Sequence, residues 1–233
     1  MVTIASRFYK WLGAQKEPKN MFGEHRILLI GGSSHVGKST LAQSLASHLG
    51  WNYRSTDKLA RHPGRPWQAK PKKVPNHVAD HYLLLSGDEL ITDVLRHYRE
   101  NVWPLIEDIV TFHATDVSDD RLVLEGSALL PDLVNTLNFE NIAAIWLTAS
   151  NEFIRRRIYA ASHYESKSHT EKMMVDKFLE RNNLFNDQIM NTVNQLGLAN
   201  VDVENAPNVD ELTSMCLSAF KKKNSQTPTH AVE

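Results

Sequence analysis

A chain of 233 residues with a formal net charge of −1 has no overall field to draw it onto nucleic acid or an anionic membrane surface. Hydrophobic residues at 42% and charged residues at 23% suit a globular protein of one large domain or two small ones. The single cysteine, Cys216, excludes an internal disulfide and fits a reducing, cytoplasmic setting, and no apolar run approaches the roughly 18 residues of a membrane helix.

Residues 1–20 read as an N-terminal extension. Arg7, Lys10 and Lys16 precede any acid, and Val2, Ile4, Phe8, Trp11 and Leu12 can share one helical face. A short helix packed on the domain, a loose extension, a transit peptide and a membrane-surface helix all fit that pattern.

The domain proper begins near residue 21. Ile27-Leu28-Leu29-Ile30 is a short apolar run of the kind buried in a parallel sheet. It leads into Gly31-Gly32-Ser33-Ser34-His35-Val36-Gly37-Lys38-Ser39-Thr40, in which Gly32, Gly37, Lys38 and Ser39 fit G-x-x-x-x-G-K-[ST]. The chemistry requires this spacing. Glycines let consecutive backbone N–H groups turn toward one phosphate, and the helix that starts there adds its N-terminal dipole. Lys38 can then reach β- and γ-phosphates, and the Ser39 hydroxyl can bind Mg²⁺. A chance match in a chain of this length has odds of about one in a hundred. Leu41, Leu45 and Leu49 supply the helical period, and Gly50 supplies the stop. Residues 32–40 are therefore the expected cradle for nucleotide phosphates, and no base-reading motif separates ATP from GTP.

Trp51 to Asp57 reads as a second strand ending in Ser55-Thr56-Asp57. In a parallel sheet that end lies beside the cradle, so Asp57 is a candidate catalytic base or metal-bound carboxylate. An N-cap role for Thr56 or Asp57 competes with that reading. Arg61-His62-Pro63-Gly64-Arg65-Pro66-Trp67 is a stiff loop in which Arg61 and Arg65 can hold an anionic acceptor. Lys70, Lys72 and Lys73 extend its basic character. Residues 76–116 read as largely helical, restarting at Ser86 and at Pro104. Their histidines 77, 81, 97 and 113 form no tight ligand spacing, so no metal is expected of them. His97 and Arg99 are open candidates for facing the acceptor.

Leu122-Val123-Leu124-Glu125 is an apolar strand ending in an acid, and Glu125 is expected to orient Mg²⁺ together with Ser39 and Asp57. Ile142 to Leu147 reads as a fourth strand. The helix carrying Arg155, Arg156 and Arg157 then runs into a polar stretch without apolar period, as expected of a mobile lid over about 155–172. Adjacent arginines point about 100° apart, so one or two at most can serve the site; Arg156 is the chosen candidate. A long helix follows from Met173 to Leu196, carrying Arg181 as a second lid candidate. Val201 to Val203 is a short fifth strand, and a last helix carries Cys216 and Phe220 on its core face. Residues 223–233 read as a disordered tail.

The order of these elements resembles small P-loop kinases, the group that includes shikimate, gluconate, nucleoside and adenylate kinases. The resemblance covers about residues 22–222. The cradle together with Arg61 to Trp67 is similar to bacterial proteins grouped loosely with 2-phosphoglycerate kinase. It implies a P-loop NTPase three-layer α/β sandwich with a five-stranded parallel sheet, a helical acceptor-binding insertion over about 58–118 and a lid. It also implies ATP, Mg²⁺ and a small, anionic acceptor, with no nucleic acid and no integral membrane association. The chain departs from the shikimate type, which has Asp-x-Asp where Ser55-Thr56-Asp57 stands and a Gly-Gly element where Glu125-Gly126 stands. Two other readings share the cradle: an ATPase or nucleotide switch acting on a protein partner, and a toxin-like kinase of a nucleotide sugar.

Overall fold

The computed structural model describes residues 23–67, 74–116 and 120–224, with side chains through Phe220. The N-terminal extension, Lys70, Lys72, Lys73 and the tail beyond residue 224 lie outside the described residues. Strands β1 (Ile27–Gly32), β2 (Asn52–Ser55), β3 (Leu122–Glu125), β4 (Ile142–Thr148) and β5 (Asn200–Asp202) form one sheet in the order β2-β3-β1-β4-β5. Every pairing is parallel. The helices are α1 (Lys38–Leu49), α2 (Asn76–Leu84), α3 (Gly87–His97), α4 (Trp103–Thr115), α5 (Pro131–Val134), α6 (Asn151–Ser162), α7 (His169–Gln195) and α8 (Val209–Asn224).

Alternation along β1 sends its side chains into two cores. Leu28 and Ile30 join Val123, Ile145 and Leu147 under α1, α6 and α8. Ile27 and Leu29 join Leu122, Leu124 and Trp146 under α4 and α5. A sheet covered on both faces must be apolar on both, which is why these strands read as continuous apolar runs. The α/β fold with a five-stranded parallel sheet between helical layers is as expected.

Helix α7 ties the two cores together. Its 27 residues span roughly 40 Å at 1.5 Å per residue. Phe178 and Leu179 near its start pack in the first core; Phe185, Ile189 and Val193 pack in the second. Its middle passes the carboxyl edge of the sheet.

Between β2 and β3 lie α2, α3, α4 and a π-turn over Tyr98–Val102. Ser86 and Glu89 form a reciprocal capping box at the start of α3, and Pro104 sits in the first turn of α4, where its missing N–H is harmless. The polar segment after α6, where a mobile lid is expected, forms a turn. His163 takes a left-handed conformation, Tyr164–Ser166 form a 3₁₀ turn, and Ser168 with Glu171 caps α7. The rings of Tyr159 and Tyr164 stack at 4.0 Å, and both hydroxyls donate to the Asp176 carboxylate, at 2.9 and 2.8 Å. Polar side chains close this turn, so it carries no apolar period.

Candidate functional site

Parallel register sets the site. Ile30 pairs with Glu125, and Glu125 pairs with Ser55, so the turn after β1, the end of β3 and the turn after β2 meet at one edge. Above them lies a cavity of about 550 Å³. Its walls include Ser34, His35, Gly37 to Thr40, Asp57, Arg65, Glu125, Arg157 and Arg181.

The cradle is built by close approach. Gly32 has φ 129°, and a Cβ there would collide with the Leu147 carbonyl of β4; Gly37 has φ 103°. Val36 points away into the core, so only its backbone can face a phosphate. Gly32 and Ser33 shape the loop from beneath rather than lining the cavity. The buried Ser33 hydroxyl donates to Asn186 Oδ1 at 2.7 Å, and the Ser34 N–H donates to Asn182 Oδ1 at 3.2 Å. Both asparagines sit buried in the middle of α7. They support the cradle from beneath, and pattern reading missed them. Their one signal in the sequence is polar residues inside the apolar stripe of Phe178, Phe185 and Ile189.

Lys38 is buried and its ammonium donates to the Ser33 carbonyl at 2.6 Å, across the mouth of the loop. Burial lowers its pKa, opposed by the charges of Glu125 and Asp57. Helix α1 begins at Gly37 with no side-chain cap, which leaves its first N–H groups for a ligand. Ser39 donates to Glu125 Oε1 at 3.1 Å, and the Tyr53 hydroxyl donates to the same oxygen at 3.1 Å. Glu125 is buried, with Ser39 and Asp57 beside it on the cavity wall. This hard-oxygen set, facing a lysine and free helix N–H groups, fits Mg²⁺ bound with a nucleotide phosphate.

Asp57 lies on a 3₁₀ turn, Thr56–Lys58, immediately after β2. Ser55 caps that turn by accepting from the Asp57 N–H at 3.3 Å, which leaves the Asp57 carboxylate facing the cavity. Gly126 allows the arrangement, because a Cβ there would overlap the Thr56 side chain.

The acceptor side is assembled from distant parts of the chain. The Arg181 guanidinium donates to the Tyr82 hydroxyl at 2.9 Å, which in turn donates to the Gly64 carbonyl at 2.7 Å. Trp67 packs edge-on against Phe178 at 4.9 Å and near His35 at 5.8 Å. This anchors the 61–67 loop beneath the cradle, with Arg65 on the cavity wall. His35 takes φ 65°, and burial first, then the charges of Arg65, Lys38 and Arg157, bring its pKa down to about 4. Its ring is neutral at physiological pH.

Two expected side chains stand elsewhere. Arg156 is exposed and faces Glu204 at 4.0 Å, outside the cavity lining. Arg155 is held by Glu152 at 2.8 and 2.9 Å. Arg157 is the member of the triplet that lines the cavity, with its guanidinium beside Gly37 and over the Phe153 ring. The cause is helical rotation: one of three successive side chains faces the cradle. Arg61 is exposed and outside the lining, whereas Arg65 and the buried Arg181 belong to it. Arg99 turns away to Asp132 at 2.6 Å, and His97 lines the cavity instead.

No family model matches the chain. Over 207 residues it is 28% identical to the 2-phosphoglycerate kinase of Methanocaldococcus jannaschii, a span covering 84% of this chain and 63% of that protein. It is 37% identical over 70 residues to the cytidylate kinase of Chlamydia caviae, covering 28% of this chain and 32% of that one. The chain therefore matches less than two thirds of the length of either curated relative. A gluconokinase structure from Sinorhizobium meliloti 1021 aligns with a TM-score of 0.49 at 17% identity, covering 87% of this chain and 97% of that chain. In sequence the chain is similar to small-molecule P-loop kinases.

Proposed function

We propose that this protein is an ATP-dependent kinase that moves the γ-phosphoryl group of ATP to a small anionic metabolite. The observation that carries the reading is one cavity that joins the phosphate cradle, with Arg157 beside it, to Arg65 and Arg181 on the acceptor side. A nucleotide-hydrolysing switch needs the cradle but has no use for a second anion pocket facing it. A phosphorylated hydroxy acid of the 2-phosphoglycerate type fits the charge of that pocket, and the relative of that name supports the choice.

The chain's own groups divide the work. The backbone N–H groups from His35 to Thr40 hold the phosphates. Lys38 leaves the Ser33 carbonyl for the β- and γ-phosphate oxygens. Ser39, Asp57 and Glu125 would hold Mg²⁺, which would supply charge neutralisation for the phosphates. Asp57 faces the same space and orients the acceptor hydroxyl, accepting its proton as the oxygen attacks. Arg65 and Arg181 grip the acceptor's anionic group, and Arg157 approaches from the cradle side toward charge that spreads over the transferring group. Positioning and electrostatics carry most of such a reaction.

The test is γ-labelled ATP with Mg²⁺ and a pool of anionic metabolites that includes 2-phosphoglycerate. A labelled small molecule is expected, and Lys38→Ala should reduce its formation by about 10²–10³-fold or more. Label released only as free phosphate, at a rate indifferent to the pool, would sink the kinase reading in favour of an ATPase.

A further inference from the structure

Behind the acceptor loop, three side chains from three elements converge. His62 comes from the 61–67 loop, His81 from α2 and Asp93 from α3. One ligand-type atom from each lies within 4.8 Å of the other two. Their hydrogen bonding is internally inconsistent for a metal-free, neutral site. His62 Nδ1 lies 2.8 Å from the Pro63 carbonyl, which can only accept, so Nδ1 carries a proton. In a neutral ring Nε2 is then a bare lone pair, yet it points at Asp93 Oδ2 from 3.2 Å, acceptor against acceptor. His81 Nε2 is buried without a partner at the same place. The other Asp93 oxygen, Oδ1, is taken by Arg96.

We propose that His62, His81 and Asp93 bind a divalent cation of the zinc class, separate from the Mg²⁺ of the phosphate cradle, and that this ion fastens the acceptor loop to α2 and α3. Two imidazoles and a carboxylate are a zinc-type donor set, with a fourth position left to water. In a tetrahedral site with bonds of about 2.0–2.1 Å, ligand atoms stand roughly 3.3 Å apart. The His62–Asp93 spacing of 3.2 Å already matches, and the His81 ligand atom lies within 4.8 Å of both. The outer contacts also fit: a ligating histidine donates its other N–H to a backbone carbonyl, and a ligating carboxylate is fixed through its second oxygen. The cation turns the opposed lone pairs of Nε2 and Oδ2 into two bonds and occupies the orphaned His81 nitrogen. The competing account is an imidazolium–carboxylate ion pair. It leaves the buried His81 Nε2 without a partner.

The experiment is a Co²⁺ titration of the full chain, purified without a histidine tag and stripped with chelator. One equivalent is expected to bind with the visible ligand-field bands of a four-coordinate ion, displaced by Zn²⁺. His81→Ala and the isosteric Asp93→Asn should each weaken binding by about 10–100-fold or more with the circular dichroism spectrum unchanged. His77→Ala, on the exposed face of α2, should leave binding as it is. Absence of stoichiometric uptake, six-coordinate spectra alone, or binding indifferent to Asp93→Asn would overturn the proposal. None of these readings depends on phosphoryl transfer.

Discussion

Arg157 is distinguished from its neighbours by orientation alone. Arg155 and Arg156 spend their charge on Glu152 and Glu204 in exposed pairs, whereas Arg157 lies over Phe153 beside the Gly37 backbone. Exposed pairs of this kind are screened by water and contribute little. Arg157→Ala should therefore lower kcat by at least about 10²-fold, as loss of a donor to developing charge does. Arg155→Ala and Arg156→Ala should leave both kcat and melting temperature unchanged. Equal losses across all three would mean that the helix as a whole, rather than one guanidinium, matters.

At the level of elements, the turn after β2 depends on a glycine just past the end of another strand. Gly126 follows β3, and a methyl group there would displace Thr56, which is buried and begins the turn that carries Asp57. Gly126→Ala should cost about 1–3 kcal/mol through overpacking. Because the displaced residue adjoins Asp57, kcat should fall while nucleotide affinity holds. Thr56→Ala in the same chain should recover part of the loss, since the two sites share one contact. An unchanged kcat in Gly126→Ala, with only the melting temperature lowered, would detach Asp57 from the chemistry. The sequence could not expose this coupling, because it joins residues far apart in the chain. What it did expose was local: the apolar strand runs, the cradle spacing, the helix restart at Ser86, and carboxylates at strand ends. The Arg181–Tyr82–Gly64 chain, the asparagines under the cradle and the His62–His81–Asp93 cluster need helices and loops brought together by the fold. A histidine spacing read along the sequence misses a cluster whose three members come from three different elements. The placement of Arg157 rather than Arg156 on the cavity wall has a related reason: helical rotation separates three successive arginines, but the sequence does not say which face meets the cradle.

For the molecule as a whole, a net charge of −1 conceals a sharply uneven distribution. Lys38, Arg65, Arg157 and Arg181 line one cavity against the carboxylates of Asp57 and Glu125. Within low-dielectric walls such a field favours a polyanion without a basic surface elsewhere. Ligand binding to the folded chain alone stabilises it by about 2.7 kcal/mol at one hundred times Kd. For a domain of this size each kcal/mol raises the melting temperature by about 2–4 °C, so saturating ATP should raise it by about 5–11 °C. The two carboxylates oppose the phosphates unless a cation lies between them, so Mg²⁺ should enlarge the shift. Glu125→Gln removes one of the opposing charges and one of the oxygens proposed for Mg²⁺; it should reduce the difference between the shifts with and without Mg²⁺. Lys38→Ala should abolish most of the shift under either condition. A large Mg²⁺-dependent shift that survives Lys38→Ala would place the nucleotide somewhere other than the Gly32–Thr40 cradle.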